Sequence, residues 1–264
     1  MTPLSKQFFP LAVILLMLTA FGCQQNAPRE EQHPSNKIDT DDQKSASDMP
    51  ISLQLRLDSM KNRFEQKASE EKKRDYAQGV SEVDDLGLVK SASDTGDDAF
   101  MFELPSATGE SIKLGDLLKQ GPVVLIWYRG GWCPYCNLQL RTMQQYLPQI
   151  KELGANLVAI SPEMPDSSIS TKEKDELSYY VLSDKGNKVA KKYGIVYTLP
   201  EVVQKQFEGR IDVNAYNGDN KKELPLAVTY VVDTNGKITY AFLNSDYKKR
   251  AEPEEIIKAL KDLK

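Results

Sequence analysis

The sequence predicts an α/β fold: a three-layer sandwich in which helices flank a central mixed sheet, with an extra amphipathic helix on the N-terminal side. Three observations carry this. Residues 123–128 form a nearly unbroken apolar run, as expected of a strand in the middle of a sheet covered on both faces. A helical stripe of Cys136, Leu140, Met143, Leu147 and Ile150 follows at once, so strand gives way to helix. Near the end, apolar runs at 228–232 and 237–243 flank Asp233-Thr234-Asn235-Gly236, a strong hairpin signal.

Taken from the start, residues 1–22 read as a signal segment. Lys6 precedes the apolar stretch 8–22, which has the length of a signal-peptide core and is too short to span a bilayer. The run Leu18-Thr19-Ala20-Phe21-Gly22-Cys23 resembles a bacterial lipoprotein signal, in which the cysteine is acylated and becomes the first mature residue. The alternative is an ordinary cleaved signal with an unmodified Cys23. Lipidation would leave no odd thiol, since the chain has three cysteines. The expected location is the cell envelope, on a membrane-anchored lipoprotein facing the periplasm or the cell exterior. Residues 23–50 are polar and nearly free of large apolar side chains, hence a flexible tether. The one histidine, His33, lies there beside Pro34 and reads as solvated.

Residues 51–96 form an N-terminal helical extension. Leu53, Leu57, Met60 and Phe64 recur at helical spacing, which predicts one amphipathic helix over 51–76 that packs on the surface of the main domain. From 97 to 264 a single domain is expected. A hairpin at 100–114 turns at Ser106-Ala107-Thr108-Gly109, and a short helix covers 115–119. After the strand 123–128, Pro148 is expected to kink or end the following helix. Next come a strand at 156–161, a loop through Pro162 and Pro165, a helix at 171–177, a strand at 179–182 and a helix at 187–193 closed by Gly194. Residues 199–223 read as an insertion without assigned structure. The last helix opens near Pro253 and buries Ile256, Ile257, Leu260 and Leu263. This element order is that of a thioredoxin-like sheet.

The chemistry sits at Trp132-Cys133-Pro134-Tyr135-Cys136, between the central strand and its helix. There the unpaired N–H groups of a helix N-terminus favour a thiolate over a thiol. Cys133 is the expected nucleophile, exposed at the helix tip and with the lower pKa. Cys136, one turn on and on the apolar stripe, is placed to resolve a mixed disulfide on it. Three other readings exist. A structural disulfide would close a four-residue loop and contribute little. A zinc site needs further ligands, and the other thiol and imidazole, Cys23 and His33, are in the leader region. Two buried hydrophobic cysteines would not call for Gly130-Gly131, for Pro134 at the first helical position, or for Trp132. Arg129 reads either as a group that lowers the Cys133 pKa or as a solvated surface cation. Trp132 and Tyr135 read either as an apolar mouth or as packing.

A net charge of −4 with no basic stripe excludes a nucleic-acid partner, and no metal, flavin or nicotinamide motif is visible. The dithiol is then the only redox group, and reductant must come from another protein.

Five segments, namely residues 128–138, Ala159-Ile160-Ser161-Pro162, Leu182-Ser183-Asp184, Tyr216-Asn217-Gly218-Asp219 and Ala251-Glu252-Pro253-Glu254, agree in order and spacing with a known family. Over roughly 53–263 the chain resembles the bacterial peroxiredoxin-like group of the alkyl hydroperoxide reductase/thiol-specific antioxidant superfamily. The resemblance implies a thioredoxin fold and a thiol-dependent antioxidant, with Cys133 as peroxidatic or attacking thiol and Cys136 as resolving thiol. It also implies a peroxide substrate and a thioredoxin-like protein dithiol as reductant. Two departures, at three positions, set the chain apart. Where peroxiredoxins carry Pro and Thr ahead of the cysteine, this chain has Ile126 and Gly130, and where thioredoxins carry a cis-proline it has Ala227. The runner-up is therefore an envelope thiol-disulfide oxidoreductase acting on protein disulfides. A third reading, a lipoprotein that binds a partner through 199–223, would leave the dithiol incidental.

Overall fold

A computed structural model describes residues 52–264. The signal segment and the whole of the tether, Cys23 and His33 included, lie outside them. In chain order the elements are α1 (Leu53–Lys67), α2 (Glu70–Asp85), α3 (Leu88–Ser91), β1 (Glu103–Pro105), β2 (Ser111–Lys113), α4 (Leu114–Leu118), β3 (Val123–Trp127) and α5 (Pro134–Glu152). They continue with β4 (Asn156–Ser161), α6 (Pro165–Lys174), β5 (Tyr180–Ser183), α7 (Lys188–Lys192), β6 (Val196–Thr198), α8 (Glu201–Phe207) and α9 (Val213–Asn217). The chain closes with β7 (Glu223–Pro225), β8 (Thr229–Val232), β9 (Ile238–Phe242) and α10 (Pro253–Lys261).

The main sheet has the order β5-β4-β3-β8-β9. β3, β4 and β5 run parallel, with Leu125 opposite Val158, and β8 returns antiparallel with Tyr230 opposite Leu125. Every residue of β3 is buried, as its apolar sequence requires. Alternation along β3 feeds two cores. Val124 and Ile126 pack with Leu140, Met143 and Ile150 of α5 and with Ile256 and Leu260 of α10. Val123, Leu125 and Trp127 pack with Tyr193, Leu224 and Tyr230 on the other face. The α/β sandwich expected from the sequence is the one present.

Several elements differ from the expectation, each for a local reason. The extension over 51–76 is two helices. The Ser69 hydroxyl accepts from Lys72 N–H at 3.3 Å and starts α2 afresh, because a serine offers the backbone a cap that competes with continuing the helix. Pro148 does not end α5, which runs on to Glu152. Its ring lies on the exposed face, while Met143, Leu147 and Ile150 hold the opposite face against the sheet. Pro165 opens α6 at its first position and is not part of a loop. The insertion is ordered: it leaves from β6, forms α8 and α9, and returns as β7, which pairs with β6 antiparallel.

The start of the extension is fastened by one carboxylate. Glu252, at the N-cap of α10, accepts from Ser52 Oγ at 2.8 Å, from Leu53 N–H at 3.0 Å and from Gln54 N–H at 2.8 Å. It thereby satisfies the open N–H groups of α1 across the whole length of the domain. Leu53 and Leu57 are buried beneath it. Glu252→Ala is expected to lower stability by about 1–2 kcal/mol in urea unfolding. It should also speed proteolysis in the junction between α1 and α2, while α5 stays protected.

Candidate active site

β3 carries the chain straight into the redox turn. Tyr128 and Arg129 are buried, the turn follows at Gly130-Gly131, and Cys133 is the N-cap of α5 with φ −91° and ψ 111°. The turn is held from two sides: Asn137 Nδ2 donates to Gly131 C=O at 2.8 Å, and Gly131 N–H donates to Glu163 Oε1 at 2.9 Å. Gly131 is obligatory in this packing, since a Cβ there would lie 2.0 Å from Thr171 Oγ1.

Both cysteines are free and buried, Cys133 only 1% exposed. The expected exposed tip is therefore absent. Tyr135 covers Cys133 from one side, and the pair α1 and α2 with α8 roofs the space above it. What remains is a cavity of about 520 Å³ whose lining includes Phe64, Tyr76, Trp132, Phe207 and Tyr247, with Cys133 on its wall and Cys136 outside it. Aromatic contacts tie this roof together, Phe64 to Tyr76 at 5.4 Å and Trp132 to Phe207 at 5.4 Å between ring centroids. Trp132 and Tyr135 thus form an apolar mouth and pack at the same time. Pro134, exposed at the first helical position, also lines it.

Two buried guanidiniums converge on the sulfurs. Arg129, 3% exposed, stacks with its Cζ 4.2 Å from the Tyr247 ring centroid and 5.0 Å from that of Trp132. Arg250 Nη2 lies 3.5 Å from Cys136 Sγ, its Nε donates to Gln139 Oε1 at 2.8 Å, and its Nη1 donates to the Tyr247 and Lys249 carbonyls. Among the described residues neither guanidinium has a carboxylate partner. The dithiol supplies the counter-charge. Burial opposes a charge on Cys136, but the hydrogen bond from Cys133 and the cations Arg250 and Arg129 outweigh it and pull this thiol down to about 5. Burial, the bond given to Cys136 and the charge there push Cys133 well above an ordinary thiol. A negative charge on the reduced pair is thus favoured at Cys136, the sulfur that Arg250 touches. This reverses the expectation that Cys133 has the lower pKa, because the guanidinium within hydrogen-bonding distance of a sulfur is at Cys136.

Arg250 and Glu163 were not singled out in the sequence. Arg250 lies 114 positions from Cys136, and a basic residue in a polar stretch carries no local sign of burial. Glu163 follows Pro162 in a segment that reads as a loop. Cys133, Cys136, Arg129, Trp132, Pro134 and Tyr135 all meet at one place; Cys23 lies outside the described residues. Among those residues no group of three or more metal-ligating side chains occurs.

The AhpC/TSA family model matches residues 95–241. Peroxiredoxin Bcp of Escherichia coli (strain K12) is 27% identical over 168 residues, covering 63% of this chain and 95% of that protein. The chloroplastic peroxiredoxin Q of Suaeda salsa is 28% identical over 162 residues, covering 61% of this chain and 65% of that protein. The crystal structure of peroxidoxin BcpB from Mycobacterium tuberculosis is similar with a TM-score of 0.52 at 24% identity, covering 65% of this chain and 98% of that one. At that identity the likeness is one of fold.

The sign of the Cys136 shift makes a test. A thiol whose folded-state value lies below its ordinary 9.0 contributes stability that is fully present above pH 9 and is lost as pH falls toward 5. Urea unfolding under reducing conditions should show the native chain gaining on Cys136→Ser by more than about 1 kcal/mol between pH 5 and 9. In the same assay Arg250→Met should shrink that gain.

Proposed function

The chain belongs to the AhpC/TSA family, and on that footing we propose that it is a thiol-dependent peroxidase in which Cys133 attacks the peroxide and Cys136 resolves the product. The observation that carries the assignment of roles is that Cys133 lines the cavity and Cys136 does not. Transfer of the Cys133 proton to Cys136, one helical turn away, creates the Cys133 thiolate with no loss to solvent. The thiolate attacks the terminal oxygen of the hydroperoxide, the O–O bond breaks, and the alkoxide leaves as an alcohol with the proton from Cys136. Cys133 is now a sulfenic acid and Cys136 a thiolate, which attacks the Cys133 sulfur and expels hydroxide. A disulfide, one alcohol and one hydroxide balance the dithiol monoanion and one hydroperoxide.

Two buried N–H groups of residues that line the cavity, Arg129 Nε and Trp132 Nε1, have no hydrogen-bond partner among the described residues and lie just behind its surface, so a small side-chain movement would bring them to it. They are the donors for the peroxide oxygens, at the step where negative charge moves onto the leaving oxygen. The aromatic lining suits a hydroperoxide with an apolar body. A sulfur buried at the wall of a roofed cavity admits such a molecule more readily than a folded protein disulfide, which weighs against disulfide exchange as the primary activity. The disulfide is reset by a protein dithiol of the thioredoxin-like type. Attachment to a membrane through an acylated Cys23, with the domain in the envelope, belongs to the same proposal and is supported by the pattern at Gly22-Cys23.

Stopped-flow oxidation of Cys136→Ser tests the reaction. Stoichiometric sulfenic acid is expected on Cys133, at least about tenfold faster with an aromatic hydroperoxide than with a small thiol of matched pKa. A rate equal to that of the free thiol, with mixed disulfides accumulating on client proteins instead, would promote the exchanger. Cell fractionation of Cys23→Ser tests the anchor: release from the membrane fraction is expected.

A further inference from the structure

One buried acid has no part in the reaction above. Glu163 is fully enclosed on the loop after β4, directly beneath the redox turn. Its Oε1 takes the Gly131 N–H at 2.9 Å, its Oε2 lies 3.4 Å from Ser161 Oγ and 3.5 Å from Tyr128 Oη, and its backbone carbonyl accepts from the Ser183 hydroxyl. A Cβ on Gly130 would come within 3.0 Å of Oε1, so the turn rests on the carboxyl itself. No cation pairs with it among the described residues. The titratable groups that face it are Tyr128, directly after β3, and Cys136 from α5. Ser161 of β4 and Ser183 of β5 bring only hydroxyls, as does α6, whose Ser168 reaches Tyr128 and whose Thr171 abuts Gly131.

Reduction of the disulfide gives a thiolate, and a negative charge on Cys136 raises the pKa of this carboxyl. Two like charges in a dry site oppose each other, and a proton on either relieves the conflict. We propose that Glu163 is a positioning residue that ties the redox poise of the Cys133/Cys136 pair to pH: ionised, it opposes the thiolate that reduction creates, and protonated, it lets that thiolate form while still accepting from the turn. The inference rests on the two cysteines cycling between dithiol and disulfide. Burial first and the Cys136 charge after it raise Glu163 to about 7, against the bonds from Gly131, Ser161 and Tyr128. The switch therefore works around neutrality.

The reaction is the two-electron reduction of the Cys133–Cys136 disulfide by glutathione, which becomes glutathione disulfide. Two glutathione thiols supply the two electrons and two protons; one proton goes to one cysteine, the other to solvent, and the second cysteine remains a thiolate. Redox titration of the full chain in glutathione buffers, read by alkylation and gel shift from pH 5 to 8.5, tests the link with Glu163→Gln, which keeps an acceptor oxygen for Gly131 and cannot ionise. At pH 5 the two proteins should agree. At pH 8 the Gln variant should be more readily reduced, its dithiol-to-disulfide ratio rising on the order of tenfold, which corresponds to one pKa unit of opposition removed. An offset that is the same at every pH, or none, overturns the proposal. Should the variant not fold, the carboxyl of 13C-labelled glutamate in the native chain gives the same answer by NMR. Glu163 should titrate lower in the disulfide than in the dithiol, and equal values overturn the link. If the native chain forms no Cys133–Cys136 disulfide in these buffers, the peroxidase reading fails as well, and that outcome is distinct from a disulfide whose poise ignores Glu163.

Discussion

Two guanidiniums buried without carboxylates are the constraint on which this active site depends. An unpaired buried cation costs several kcal/mol; Arg250 offsets it with Cys136 Sγ, Gln139 Oε1 and two backbone carbonyls, and Arg129 with the Tyr247 and Trp132 rings and the nearby thiols. A carboxylate partner would have neutralised them and left the thiols at their ordinary values. With the dithiol as counter-charge, the stability of the reduced fold and the reactivity of the pair come from one interaction. Removing a sulfur from this site therefore disturbs the fold as well as the chemistry.

The roof has a consequence for the catalytic cycle. A hydroperoxide can reach Cys133 through the cavity, but a protein reductant needs the disulfide at its surface, and Cys136 is wholly buried. Some part of the enclosure must open between the two half-reactions. The extension lies outside the sheet: α1 packs on α5 and α2 on α8, held by Glu252 at the start of α1 and by Arg56 to Thr142, Gln206 to Asp75 and Ser245 to Asp84. Local opening draws on segments of this kind.

Much of this was legible in the sequence because it is written in short-range pattern. The apolar run of β3, the stripe of α5 and the Asp-Thr-Asn-Gly hairpin are each decided by neighbours within a few residues. The redox pair was legible for the same reason, as both cysteines fall on one helical turn. What was missed is long-range. The order of the two cysteine pKa values depends on Arg250, and the buried state of Cys133 depends on α1, α2 and α8, which no local pattern brings above the helix tip. Pro148 and Ser69 show the opposite limit: there the local rule was applied, and in one case tertiary packing overrode it while in the other a cap prevailed over the helical stripe.

The departure at Gly130 also has a structural explanation. In the family pattern a threonine hydroxyl three residues before the cysteine helps to hold the peroxide, and here that position has no side chain. It has no room for one either, since a Cβ would lie 2.3 Å from Trp132 Nε1 and 3.0 Å from Glu163 Oε1. The indole occupies the place the hydroxyl would need. Its N–H has no hydrogen-bond partner among the described residues, and neither has Arg129 Nε; both belong to residues that line the cavity with Cys133. Trp132 fills this volume because Phe207, from the inserted segment between β6 and β7, packs against its ring. The insertion and the missing threonine are thus linked through one side chain: Phe207 braces the indole of Trp132, and that indole leaves no room for a side chain at Gly130.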